Sequence, residues 1–145
     1  APFRGTSTTA ALTENGFTLI EMMIVVTIIA IIGALVGVNV SKRLDEARVS
    51  TTKTQIRQLL LAVEDYKRVC GNFPSPSLGL EALVKRPGDC KNWEEFIQGG
   101  KLPKDAWDND FIYSLEGQKV DIKSMGADKK EGGDGVDKDI TSSDL

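Results

Sequence analysis

From Phe17 to about Val40 the chain is apolar at nearly every position and carries one charge, Glu21. As a helix with a rise of ~1.5 Å per residue the run spans roughly 36 Å, more than the ~30 Å hydrocarbon core of a bilayer. A soluble core helix is seldom this long and apolar on every side, so the run predicts a membrane-crossing segment. At Ser41 the pattern changes. Leu44, Ala47, Ile56, Leu59, Leu60, Val63 and Tyr66 recur at three- and four-residue steps, with Lys42, Arg43, Asp45, Glu46, Lys53, Arg57 and Glu64 elsewhere. That is the period of a helix with one apolar stripe. No proline intervenes, so both halves predict one helix from Phe17 to Val69.

Gly71-Asn72-Phe73-Pro74-Ser75-Pro76 ends this helix, because Gly and Pro break it and residues before Pro avoid the helical region. Ser77 then reads as the N-cap of a short helix to about Val84, stopped by Pro87-Gly88, and Trp93 to Ile97 as a further helical turn. Phe111–Leu115 and Lys119–Lys123 flank Glu116-Gly117-Gln118, the pattern of a β-hairpin with Gly in its turn. The expected fold class is α+β: a long N-terminal helix, half transmembrane and half amphipathic, packed on a small antiparallel sheet. The expected divisions are a leader over 1–16, a membrane and assembly helix over 17–41, and a soluble domain over 42–145.

The net charge of −3 and pI near 5 offer no basic stripe for nucleic acid. Histidine is absent, and two cysteines, Cys70 and Cys90, are too few for a structural zinc site. They are read either as a disulfide, which implies an oxidising compartment, or as two separate thiols. No serine or cysteine has an evident base, so an enzyme is not expected. Lys42, Arg43 and Arg48 follow the apolar span while only Arg4 precedes it, which by the positive-inside rule alone places the C-terminal domain in the cytoplasm.

Glu21 is the anomaly of the span, since a carboxylate there costs about 2.5–3.5 kcal/mol unless something neutralises it. Either it lies at headgroup level or it has a cationic partner. Cleavage after Gly16 would create one, the α-amino group of Phe17, at nearly the same depth. At the other end of the chain, residues 124–140 are dense in Asp and Gly. Clustered carboxylates repel one another unless a cation binds them, and calcium suits such a loop because it accepts 6–8 oxygens, backbone carbonyls included, in flexible geometry. The alternative is a solvated acidic loop.

Gly16-Phe17-Thr18-Leu19-Ile20-Glu21 followed by the apolar run resembles the class III signal of type IV pilins and type II secretion pseudopilins. The resemblance extends through Tyr66, Phe73-Pro74, Gly79-Leu80 and Ala82-Leu83-Val84, and through Leu102-Pro103-Lys104-Asp105-Ala106-Trp107-Asp108, where Ala106 and Asp108 replace the family's Pro and Gly. Val38 stands where a kinking Pro is common in the family. Ser124-Met125-Gly126-Ala127-Asp128 to Asp139-Ile140 is similar to the calcium loop of the major pseudopilins.

The resemblance implies a structural subunit of a periplasmic pseudopilus that drives export of folded proteins. A prepilin peptidase would cut between Gly16 and Phe17 and methylate Phe17, and Phe17 and Glu21 would guide assembly. Calcium would be held by the Met125 carbonyl and the carboxylates of Asp128 and Asp139, with Asp134 or Asp137 contributing. Partners would be further copies of the chain, minor pseudopilins, the inner-membrane assembly platform and the membrane itself. The domain would face the periplasm from a single inner-membrane span, against the charge rule. A type IV pilin of surface fibres and a membrane-anchored calcium-dependent binding module are the alternatives.

Overall fold

The computed structural model describes residues 16–145. Of the expected leader only Gly16 lies among them; the rest is outside the described residues. The chain divides into two units, Ala1–Val40 and Ser41–Leu145. The secondary structure begins with a single helix, α1, over Leu19–Cys70, 52 residues long. It starts two residues later than the apolar pattern implies. The reason is local: the Glu21 N–H donates to Thr18 Oγ1 at 3.2 Å and the Thr18 N–H donates to Glu21 Oε2 at 3.5 Å. This reciprocal pairing is a capping box, which satisfies amides that the first helical turn leaves open.

Within the first unit α1 is long and apolar enough to cross a membrane. Leu19, Met23, Val26, Ile29 and Leu35 are all exposed, and the helix continues without a break through residues 33–39.

Within the second unit Thr52, Ile56, Leu59, Val63 and Tyr66 share one buried face of α1. Ile56, Leu59, Val63 and Tyr66 join Leu80, Leu83, Ile122 and Ile140 in one core. The stripe starts later than its period suggests, since Leu44 and Ala47 are exposed. The helix ends where Gly71, at φ 87°, donates its N–H to the Lys67 carbonyl at 2.8 Å. A left-handed residue there closes the last turn without the Cβ penalty of other residues.

Cys70 and Cys90 are bridged, with Cα atoms 5.0 Å apart across a separation of 20 residues. Closing such a loop stabilises the fold by roughly 3 kcal/mol in the chain-entropy model. The expected helix after Ser77 is instead a 3-10 turn over Gly79–Leu83. Ser77 does not cap it; its hydroxyl meets that of Ser75 at 3.0 Å, and Gly79 opens the turn at φ 55°. Nor does Trp93 to Ile97 curl into a helical turn. The segment is laid out along the 3-10 turn: Trp93 Nε1–H donates to the Ala82 carbonyl at 2.8 Å and the Phe96 N–H to the Leu83 carbonyl at 3.1 Å.

The hairpin comprises β1, Ile112–Glu116, and β2, Lys119–Ser124, joined by Gly117-Gln118 with Gly117 at φ 62°. Tyr113 lies opposite Ile122 and Leu115 opposite Val120. A third strand, β3, Ile140–Thr141, pairs antiparallel with Lys123 and Ser124, giving the order β1-β2-β3. The 124–140 loop therefore leaves and re-enters one sheet.

Both tyrosines of the chain support the core. Burial, and secondarily the neighbouring Tyr66, push the Tyr113 hydroxyl up to about 12, and its O–H donates to the Pro74 carbonyl at 2.9 Å. Tyr66 is raised as well, by burial and then by Asp89. A pKa raised on folding favours the neutral phenol, so this stability is present below pH ~10 and is lost as pH rises through the folded value. Absorbance titration is expected to show no phenolate step at pH ~10 and a step coincident with alkaline unfolding. A normal reversible step near pH ~10 in the folded chain would contradict this.

Candidate functional sites

Two sites follow from the sequence, one at each end of the described chain. At the first, Gly16 and Phe17 precede the helix in non-helical backbone. Phe17 is 78% exposed, and among the described residues, chain neighbours aside, no atom lies within 4 Å of the Cβ position of Gly16. Glu21 stands one turn further on. Its carboxylate accepts the Thr18 N–H, so its partner among the described residues is the chain's own backbone.

At the second site the 124–140 loop folds back on itself. The Ala127 N–H donates to the Val136 carbonyl at 2.9 Å and the Asp139 N–H to the Gly132 carbonyl at 3.0 Å. The Gly132 N–H returns a bond to Asp139 Oδ2 at 3.1 Å. Backbone strands this close leave no room for side chains: Gly126 at φ 65° and Gly133 at φ 81° both abut Asp137. Asp128 is exposed, with its Oδ1 accepting the Lys130 N–H at 3.0 Å. Asp134 is exposed and Asp137 half-buried. Lys123 reaches in from β2, 3.1 Å from Glu131 and 3.6 Å from Asp139. The hydrogen bond to Glu131, more than the charge of Asp139, holds its ammonium above the usual lysine range.

Among the described residues no three Asp, Glu or Cys side chains gather into a metal cluster, so Asp128, Asp134, Asp137 and Asp139 do not meet as a set. One observation fits a cation nonetheless. Among the described residues Asp139 Oδ1 is buried without a hydrogen-bond partner, an expensive state for a carboxylate oxygen. The hard oxygen donors available in this loop are those that calcium prefers.

The sequence reading missed the buried support beneath the loop. Asp105 is 5% exposed, yet each carboxylate oxygen is bonded: Oδ1 accepts the N–H groups of Trp107 at 2.9 Å and Asn109 at 2.8 Å, and Oδ2 accepts the Ser124 hydroxyl at 2.6 Å. A buried carboxylate is tolerable on those terms. Thr52 of α1 joins the arrangement by accepting the Ala106 N–H at 3.2 Å. The available signal was Asp105 ahead of Asp108 and Asn109, since such side chains bond backbone amides two residues on. Trp107 beside it is half-buried and packs against the core.

Residues 39–143 match the family model described as type II secretion system (T2SS), protein G, and residues 12–37 match the prokaryotic N-terminal methylation motif. The chain is 44% identical to the type II secretion system core protein G of Pseudomonas aeruginosa, over 88% of this chain and 93% of that protein. It is 37% identical to the protein of the same name from Vibrio cholerae, over 88% and 90%. Among solved structures it resembles the major pseudopilin from the type 2 secretion system of enterohaemorrhagic Escherichia coli. The TM-score is 0.59 at 26% identity, covering 70% of this chain and 90% of that one.

Proposed function

Because the chain belongs to the type II secretion system protein G family, we propose that its two sites serve the successive steps by which a major pseudopilin enters and builds the pseudopilus. As a member it is a structural subunit and not an enzyme; the family implies processing by a prepilin peptidase and self-polymerisation. The finer reading has four parts. The peptidase cuts the exposed Gly16–Phe17 bond and methylates Phe17. The span after Phe17 holds the subunit in the inner membrane with residues 42–145 in the periplasm, which the Cys70–Cys90 bridge supports, since disulfides persist in oxidising compartments. Minor pseudopilins and the assembly platform receive it. Calcium, held through the 124–140 loop by the Met125 carbonyl, Asp128, Asp139 and one of Asp134 or Asp137, would draw that loop's carboxylates together and fix its fold against β2 and β3.

The observation that carries this reading is the exposed apolar surface of α1 from Leu19 to Val36. In water it is untenable; in a bilayer, and then against neighbouring copies, it is satisfied. Head-to-tail packing of one patch on a different patch gives an open helical array instead of a closed ring. Deleting the gene is expected to leave folded exoproteins in the periplasm while surface fibres persist, with secretion restored by the intact gene. Loss of surface fibres with secretion unchanged would overturn the assignment to a pseudopilus in favour of a surface pilus.

A further inference from the structure

The most heavily bonded buried group in the second unit is Asp105, and neither cleavage nor polymerisation uses it. Its Oδ2 accepts the hydroxyl of Ser124 at 2.6 Å, and Ser124 is fully buried at the end of β2. A serine hydroxyl donates one proton and keeps lone pairs to accept. With its proton committed to Asp105, Ser124 Oγ accepts the N–H of Gly126 at 3.2 Å. The carbonyl of Gly126 is held in turn by Asn109 Nδ2 at 2.8 Å, and the Asn109 N–H returns to Asp105 Oδ1. Ser124 and Asn109, each bonded to Asp105, thus hold the two backbone groups of Gly126.

The consequence falls on the residue before it. The Met125 carbonyl and the Gly126 N–H belong to one planar trans peptide unit, so they point in opposite directions and turn together. Fixing the N–H fixes the carbonyl. We infer that Asp105, acting through Ser124, is a positioning residue that aims the Met125 carbonyl as a cation ligand, an inference that rests on the calcium reading of the loop. Removing the carboxylate frees Ser124 Oγ to rotate, releases the Gly126 N–H and leaves the Met125 carbonyl to choose its own direction. Partners behind metal ligands typically influence affinity by ~10- to 100-fold through this kind of orientation.

The test uses the full chain in detergent micelles, titrated calorimetrically with calcium chloride well below its melting temperature. The unmodified chain is expected to bind; if it does not, the calcium reading itself fails, and this inference with it. Asp105→Asn and Ser124→Ala are expected to bind calcium about tenfold more weakly or worse while still folded. Thr52→Val is the control, since it removes the acceptor of the Ala106 N–H from the same region without touching Ser124. It is expected to melt lower yet bind calcium as the unmodified chain does. Equal weakening in all three variants would reduce Asp105 to a structural role, and affinity unchanged in Ser124→Ala would overturn the positioning role. Should Asp105→Asn not fold, Ser124→Ala decides alone.

Discussion

Glu21→Ala is expected to yield a chain that is inserted in the membrane but forms no ordered filament. A carboxylate in an apolar span costs about 2.5–3.5 kcal/mol unless it is paired or lies at headgroup level, and the loss of filaments follows from the paired reading. The structure gives one such interaction, the bond from the Thr18 N–H, and the proposed cleavage after Gly16 would supply another, the α-amino group of Phe17. The two are separable. Glutamine still closes a capping box but carries no charge, so Glu21→Gln keeps the first interaction and loses the second.

If amine pairing drives assembly, Glu21→Gln fails as Glu21→Ala does, because a neutral amide draws a neighbouring amine far less strongly. Losing the box alone costs about 0.5–2 kcal/mol at the first turn, a small loss for a helix of 52 residues. Electron microscopy of filaments from cells overproducing each variant reads the result. Normal filaments from Glu21→Gln would assign the residue to helix capping and remove the pairing argument; normal filaments from Glu21→Ala would remove both.

Gly126→Ala carries the second large effect, this time on stability. A Cβ at Gly126 would lie 2.8 Å from the carbonyl carbon and oxygen of Asp137 and from the Val136 oxygen, all of them backbone atoms that cannot swing aside. The residue also sits at φ 65°, where an L side chain costs about 1–2 kcal/mol. Forcing a packed backbone apart adds about 1–3 kcal/mol. The sum is roughly 3 kcal/mol, enough to lower the melting temperature of a domain this size by more than about 10 °C. Gly135 supplies the contrast: it has φ 63° but, among the described residues beyond its chain neighbours, no atom within 4 Å of its Cβ position, so Gly135→Ala meets only the conformational term. Thermal melts by circular dichroism are expected to place Gly126→Ala well below Gly135→Ala. Equal shifts would mean that the contact between residue 126 and residues 136–137 does not hold the loop.

The long helix and the hairpin were legible because each repeats its period many times over. Ile56, Leu59, Val63 and Tyr66 mark one helical face, and two short alternating runs flank Gly117. Periodicity says which side chains share a face but not whether anything covers them. Leu44 and Ala47 therefore read as core and stand in solvent. Thr18-x-x-Glu21 is a capping signature in its own right, yet the unusual placing of a charge drew attention to a distant partner before the adjacent one. Two residues are too few to show alternation, so β3 was invisible. The Trp93 segment looked helical by local propensity, and two hydrogen bonds to the 3-10 turn override it.

The candidate sites divide in the same way. Gly16, Phe17 and Glu21 form a motif contiguous in sequence and were found together. The supporting group under the loop is assembled from α1, the 105–109 segment and the end of β2. No sequence pattern records that meeting. Buried Asp105 further inverts the rule that charged residues lie outside, and only its three donors make the position intelligible.

The Cys70–Cys90 bridge also has a mechanical meaning. It joins the last residue of α1 directly to the far side of the following loop. A pull between the helix and the sheet therefore runs through the sulfur atoms, and residues 71–89 bear none of it. Without the bridge, a separation of 20 residues with Cα ends held 5.0 Å apart could pay out about 60 Å of slack before drawing taut. With it, the helix end and Cys90 form an almost inextensible joint, and the proline-rich turns between them are spared from load.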